Sequence, residues 1–142
     1  MAQYGYWHID IFPWMNWKSS STAGSTRTNT SSALGMGYLV TATSINQHIE
    51  WDVPLTTGTW TLTLIWRSGT GNAIITPSID GVDLATFDGY EAAPVQNKVT
   101  QWTGISIITD GIKEIRFRGD SKNASASGYA IQPQLINFTR TA

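Results

Sequence analysis

Apolar residues recur along this chain with a period of two. In Trp60-Thr61-Leu62-Thr63-Leu64-Ile65-Trp66-Arg67 the even positions are Trp, Leu, Leu and Trp, and the odd ones Thr, Thr, Ile and Arg. Successive side chains of a strand point to opposite faces, so the segment predicts a strand with one dry face. His48 to Leu55 alternates in the same way, with Ile49, Trp51, Val53 and Leu55 on the apolar side. Pro54 ends that ladder or lies on an edge. Glu50 and Asp52 fall on the opposite parity and are expected to be solvated. The two histidines, His8 and His48, also alternate out of phase with the apolar set and are expected to face solvent.

Further strands follow at regular spacing. Ala73 to Ile79 runs into Asp80-Gly81, Gly104 to Thr109 into Asp110-Gly111, and Ile112 to Arg118 into Gly119-Asp120. Aspartate-glycine pairs suit the positive φ angles of tight hairpins. In the closing stretch, Gly128 to Thr139, Tyr129, Ile131, Pro133 and Leu135 share one parity while Ile136 and Phe138 take the other, which predicts a bulge between Leu135 and Ile136. Upstream, Tyr38 to Ile45 reads as a strand. Trp7 to Ile11 begins another that changes parity into Phe12, Trp14 and Trp17. Residues 18–32 are almost entirely Ser, Thr, Ala, Gly and Asn and predict a long, mobile surface loop. Nine or ten short strands without a long helix define an all-β class, a jelly-roll β-sandwich.

Composition narrows the partners. The 142 residues fit one domain, 1–142, large enough to hold a core without the disulfides that a chain of no cysteines cannot make. A charged fraction of 13% is about half the usual share. Nine basic residues and a net charge of -1 leave no footprint for a row of phosphates, which excludes nucleic acid as a partner. No apolar run reaches the roughly 18–20 residues of a spanning helix, so no membrane insertion is expected. Met1-Ala2-Gln3-Tyr4 opens no secretory signal.

Catalytic chemistry finds little support. Two histidines, no cysteine and no G-x-S-x-G elbow argue against a triad or a zinc site. A glycosidase needs two carboxylates across a cleft, about 5–5.5 Å apart for retention. Glu50 and Asp52, roughly 6.6–6.8 Å apart along a strand, are a generic i, i+2 pattern. Asp80, Asp83, Asp88 and Glu91 offer hard oxygens for calcium, but turn chemistry explains them without a metal. No cofactor and no catalytic residue are predicted.

Aromatic rings are the informative excess: seven Trp, five Tyr and four Phe. Indole and phenol rings stack on the apolar faces of sugars while neighbouring polar side chains bind the hydroxyls. Trp51, Trp60 and Trp66 sit on the apolar parity and are predicted core. Trp14, Trp17, Trp102 and Tyr90 fall outside clean alternation, and Asp88 lies beside Tyr90 in Phe87-Asp88-Gly89-Tyr90-Glu91. Trp14, Trp17, Asp88, Tyr90 and Trp102 are therefore the candidate ligand-binding residues.

Two stretches resemble known families. Trp51-Asp52-Val53-Pro54, Gly58-Thr59-Trp60-Thr61-Leu62 and Ile79-Asp80-Gly81 resemble the jelly roll of carbohydrate-binding modules. Lys122-Asn123-Ala124-Ser125-Ala126-Ser127-Gly128-Tyr129, followed by Ile136-Asn137-Phe138-Thr139-Arg140-Thr141, is similar to the C-terminal ends of bacteriophage tail-fibre and tailspike proteins. That resemblance covers about the last 95 residues of the sequence and implies a homotrimeric fibre tip. Its partner would be bacterial surface polysaccharide, capsule or lipopolysaccharide, and its setting the virion outside the cell after synthesis in the host cytoplasm. No shaft precedes the tip here, so a cut-out domain or a small accessory protein is expected. Two alternatives remain: a purely structural trimerisation or capping domain, and a capsule depolymerase.

Overall fold

The computed structural model describes residues 8–13, 18, 27–30, 37–40 and 44–142. Eleven strands are assigned among them: β1 (His8–Ile11), β2 (Arg27–Thr30), β3 (Gly37–Val40), β4 (His48–Leu55), β5 (Gly58–Trp66), β6 (Ile74–Ile79), β7 (Val82–Asp83), β8 (Phe87–Asp88), β9 (Lys98–Ile107), β10 (Gly111–Ser121) and β11 (Pro133–Arg140). They form one sheet in the order β1-β11-β5-β9 and a second in the order β4-β10-β6-β7, with β8 also pairing β6. A separate ribbon joins β2 to β3.

The alternation read in the sequence becomes the core. Leu62, Leu64, Ile136 and Phe138 from the first sheet meet Ile49, Trp51, Ile115 and Phe117 from the second, all essentially inaccessible to water. Each fully buried side chain of this size stabilises by about 1.5–3 kcal/mol, which makes the apolar face the main reason these strands associate. Trp51, Trp60 and Trp66 are core, as their parity demands. Asp80 and Gly81 have φ angles of 48° and 79° and close a two-residue hairpin between β6 and β7, the turn that an Asp-Gly pair favours.

Three bulges reset the phase where simple alternation fails. In β9, Trp102 faces Leu62 and Ile105 faces Trp60, so β9 spends one residue more than β5, and Gly104 absorbs it at φ 70°. In β11, Pro133 faces Trp66 and Leu135 faces Ile65, which places the extra residue at Gln134, one position before the predicted bulge. In β10, Gly119 faces Ile75 and Ser121 faces Ile74, leaving Asp120 as the extra residue. Gly119-Asp120 is therefore no turn: β10 runs through it to Ser121, because Arg118 and Thr76 both hydrogen-bond the Asp120 carboxylate and hold the bulge.

Other expectations need correction. The strand predicted from Gly104 begins at Lys98, and its first half was hidden because Val99, Gln101 and Thr103 face solvent on an edge strand. Residues 18–32 contain β2, whose Ser/Thr-rich sequence carries no apolar signal yet pairs with β3. β3 ends at Val40 and residues 44–46 form a bend and turn, short of the strand predicted to Ile45. Glu50 is not solvated. It is 1% exposed and ion-paired to Arg116, its neighbour across the β4–β10 ladder. His48 is also largely covered, its Nε2 3.0 Å from the Glu50 carboxylate, whereas His8 and Asp52 remain exposed as expected.

Candidate functional site

β5 and β11 run antiparallel, so the end of β5 at Trp66 and the start of β11 at Pro133 lie at one end of the sandwich. Three connections meet there: residues 67–73, 89–97 and 122–132. Backbone hydrogen bonds lace them together. Gly69 pairs with Tyr90 and Asn72 with Ala130 in isolated bridges, and Ser127 N donates to Thr70 O at 2.8 Å. Gly89 is needed where it stands, since a Cβ there would lie 2.7 Å from Ala73 O and 2.9 Å from Asn72 Cβ.

Beneath this end lies a polar frame with its groups satisfied. Asn72 Nδ2 donates to Arg67 O at 2.8 Å, Gln132 Nε2 to Asn72 Oδ1 at 2.8 Å, and Arg67 Nη1 to Gln132 Oε1 at 2.7 Å. The bulge residue Gln134 accepts from Asn97 N at 2.9 Å and donates to Gln96 Oε1 at 3.1 Å. Buried amides of this kind fix loop geometry, because each broken partnership strands a desolvated polar group.

The rim carries the chemistry. Asp88 accepts from Tyr90 N and from Asn123 Nδ2, both at 2.9 Å, and so ties the Tyr90 turn to the 122–132 connection. Lys122 Nζ stands 5.2 Å from the centre of the Tyr129 ring, within the range of a cation–π contact. Glu91 is engaged by Lys98 and accepts from Ser68 Oγ at 2.8 Å. The Lys98 hydrogen bond, then that of Ser68, hold the Glu91 carboxyl below its ordinary value, so it stays ionised at neutral pH. Tyr90 and Tyr129, both half-buried, thus stand on two of the connections of this end, Tyr90 beside Asp88, and Tyr129 beside Lys122 and against the edge of the core.

Of the residues predicted from sequence, Asp88 and Tyr90 are brought together here. Trp102 is not at this face. Its ring is 8% exposed, 5.8 Å from Phe87, and its indole N–H donates to Ala85 O at 2.8 Å, so it seals the edge of the core beneath β7 and β8. Trp14 and Trp17 lie outside the described residues. Arg67, Asn123 and Tyr129 were missed because they come from segments up to 62 positions apart, Arg67 to Tyr129, and only the bridges join them. The calcium set disperses: Asp80 is paired with Lys113, Asp83 with Arg118, and Glu91 with Lys98, while Asp88 holds Asn123. Among the described residues no three metal-ligating side chains converge.

No protein-family model matches the chain, and no curated protein matches it. Solved structures do. A carbohydrate-binding module, CBM36-1, of a multidomain xylanase from the hindgut metagenome of Trinervitermes trinervoides matches with a TM-score of 0.67 at 13% identity, over 95% of this chain and 98% of that one. A CBM36 module in complex with calcium and xylotriose matches with a TM-score of 0.64 at 17% identity, over 92% of this chain and 99% of that one. A xanthan lyase from Paenibacillus matches with a TM-score of 0.72 at 19% identity, over 82% of this chain but only 12% of the lyase. The fold class is thus a jelly-roll β-sandwich like that of carbohydrate-binding modules. In two of the three, the likeness runs from end to end of the domain.

Proposed function

We propose that the chain is a non-catalytic carbohydrate-binding module whose polysaccharide ligand lies across the loop-built end, against Tyr90 and Tyr129. The observation that carries this reading is the end-to-end correspondence with two carbohydrate-binding modules, one a domain of a multidomain xylanase and the other in complex with calcium and xylotriose. The end adds recognising groups: the two phenol rings for sugar faces and the exposed Lys122 for hydroxyls. Hydrolysis finds no support at this end, since Asp88 and Glu91 are both committed to holding loops, and the hydrogen bonds of Lys98 and Ser68 keep the Glu91 carboxyl below its ordinary value, the wrong direction for a general acid.

Within this reading we assign the module to the receptor-binding tip of a homotrimeric phage tail fibre that recognises capsular or lipopolysaccharide sugar. The support is the resemblance of the runs Lys122 to Tyr129 and Ile136 to Thr141 to those of tail-fibre and tailspike proteins. The first of these runs carries Lys122, Asn123 and Tyr129 into the candidate face.

Titration with purified capsule, lipopolysaccharide and neutral oligosaccharides, read by tryptophan fluorescence and calorimetry, tests the binding. Tyr90→Ala and Tyr129→Ala should each weaken it by about ten-fold, the loss of one stacked ring. Binding that survives both substitutions unchanged would remove the loop end as the site. Light scattering tests the assembly: three times the chain mass is expected, and a monomer would discard the fibre while leaving the module.

A further inference from the structure

Where edge strand β9 of the first sheet faces edge strand β7 of the second, the sandwich stays open around a hollow of about 450 Å³, within the range of ligand pockets. Its walls are aliphatic: Ile105 and Ile107 from the first sheet, and Ile79, Val82 and Leu84 from the second. All five belong to the inner faces. Ile79 and Ile107 are buried, Ile105 and Leu84 pack against the core, and Val82 stands opposite Ile79 in the ladder and so points to the same side. Yet Val82 is 68% exposed. A core-facing valine that water reaches lacks a neighbour on the facing sheet.

The main chain at the rim lacks one too. Thr59 N donates to Ala142 O and Thr141 N donates to Thr59 O, each at 2.7 Å, both on the side of β11. Ser106 faces Thr59 across the β5–β9 ladder, so by the alternation of an antiparallel pair it turns its own N–H and C=O away from β5, to the open edge beside the hollow. Among the described residues neither group has a hydrogen-bond partner. Sheets commonly guard free edges with charge or proline, and residues 105–109, Ile-Ser-Ile-Ile-Thr, carry neither. The two charges at the hollow answer each other: Lys113 Nζ lies 3.5 Å from the Asp80 carboxylate and donates to Thr109 Oγ1 at 3.0 Å.

An aliphatic hollow alone would take any alkyl group. Beside a free main-chain donor and acceptor it fits something narrower, an extended peptide whose backbone pairs with Ser106 and whose alternate side chains, roughly 6.6–6.8 Å apart, fill the space between Ile107 and Val82. Among the described residues no ring lines the hollow, so it lacks the platform a sugar face would use. We propose that the open side between β9 and β7 is a docking groove for an extended, uncharged segment of a partner protein with aliphatic residues at every second position. The added strand extends the first sheet beyond β9 and covers Val82. In β9, Lys98 faces Trp66 at the loop-built end while Ile107 faces Gly58, so the groove lies towards the opposite pole and does not depend on carbohydrate binding.

The test titrates the whole chain with a short capped peptide alternating Thr and Val, followed by methyl resonances and amide hydrogen exchange. Saturable shifts of the Val82 and Leu84 methyls are expected, with exchange at the Ser106 amide slowed about ten-fold or more. Two substitutions should each weaken binding by about ten-fold: Val82→Lys, which puts a charge in the groove, and Ser106→Pro, which deletes the edge donor where sheets tolerate proline. A peptide of the same composition with its valines adjacent, or one with proline at its centre, should bind far more weakly. Equal binding of those controls, or methyls that stay still, overturns the groove. Hexanol moving the same methyls as far as the peptide does, with the Ser106 amide still exchanging freely in both, would make the hollow a site for alkyl groups and overturn strand addition. Ser106 protection that rises with protein concentration in the chain alone would give the edge to a second copy, and the proposal would fall. If the peptide binds and no glycan does, the groove stands and the carbohydrate reading falls.

Discussion

The Glu50 carboxylate, buried to 1% exposure on the face of β4 opposite the core, accepts from Arg116 Nε at 2.7 Å, and the two residues are direct neighbours across the β4–β10 ladder. His48 Nε2 also lies 3.0 Å from this carboxylate, but Arg116 is its guanidinium partner, and an ion withdrawn from water in this way depends on such a partner. Arg116→Ala should therefore cost about 3 kcal/mol, whereas Glu50→Gln, which removes the charge and keeps the shape, should cost less. Urea unfolding of both variants at neutral pH checks the order. Equal and small losses would mean that the pair is solvated after all.

Trp102 separates packing from recognition. Trp102→Ala should destabilise by about 3–5 kcal/mol through lost burial, and Trp102→Phe by much less, through the smaller ring and the lost hydrogen bond to Ala85 O. Neither change should alter sugar affinity once the protein is folded. Calorimetric titration of Trp102→Phe with a bound glycan reads this directly, and a ten-fold weaker complex at unchanged fold would return Trp102 to the ligand-contact set.

Asp110 gives the fold a dependence on acid. Thr57 Oγ1, at 2.7 Å, and then Thr57 N, at 2.6 Å, donate to its carboxylate and hold its pKa below the ordinary value. A depressed carboxyl contributes stability that is present above its unfolded pKa of about 3.9 and is lost as pH falls through the lower folded value. The melting temperature of the parent should therefore exceed that of Asp110→Ala at pH 7, and the gap should close below about pH 4. Parallel curves down to pH 2.5 would refute the contribution of this hydrogen bond.

The strands with one dry face were legible in the sequence. β4 and β5 alternate cleanly, and Asp80-Gly81 closes its hairpin as the residue types require. What could not be read was everything decided by a partner far along the chain. β9 begins at Lys98 because β5 offers it a ladder, not because its exposed Val99 and Gln101 ask for one. Glu50 looks like any solvated strand carboxylate until Arg116, 66 positions on, is folded against it. At this end, Asp88 and Tyr90 stood out because only Gly89 separates them, while Asn123 joined Asp88 only through a hydrogen bond spanning 35 positions. The register shift at Gln134 was anticipated one residue late because Pro133 and Gln134 are both buried there, which masks the parity change.

The path of β11 has a practical corollary. It enters beside Trp66 and leaves beside Trp60, and the Ala142 carbonyl is then pinned by Thr59 N at 2.7 Å. A linker fused behind Ala142 would depart from the pole remote from Tyr90 and Asn123. Anchored to a bead or sensor chip by a short tail, the molecule would stand with that loop-built end turned outward.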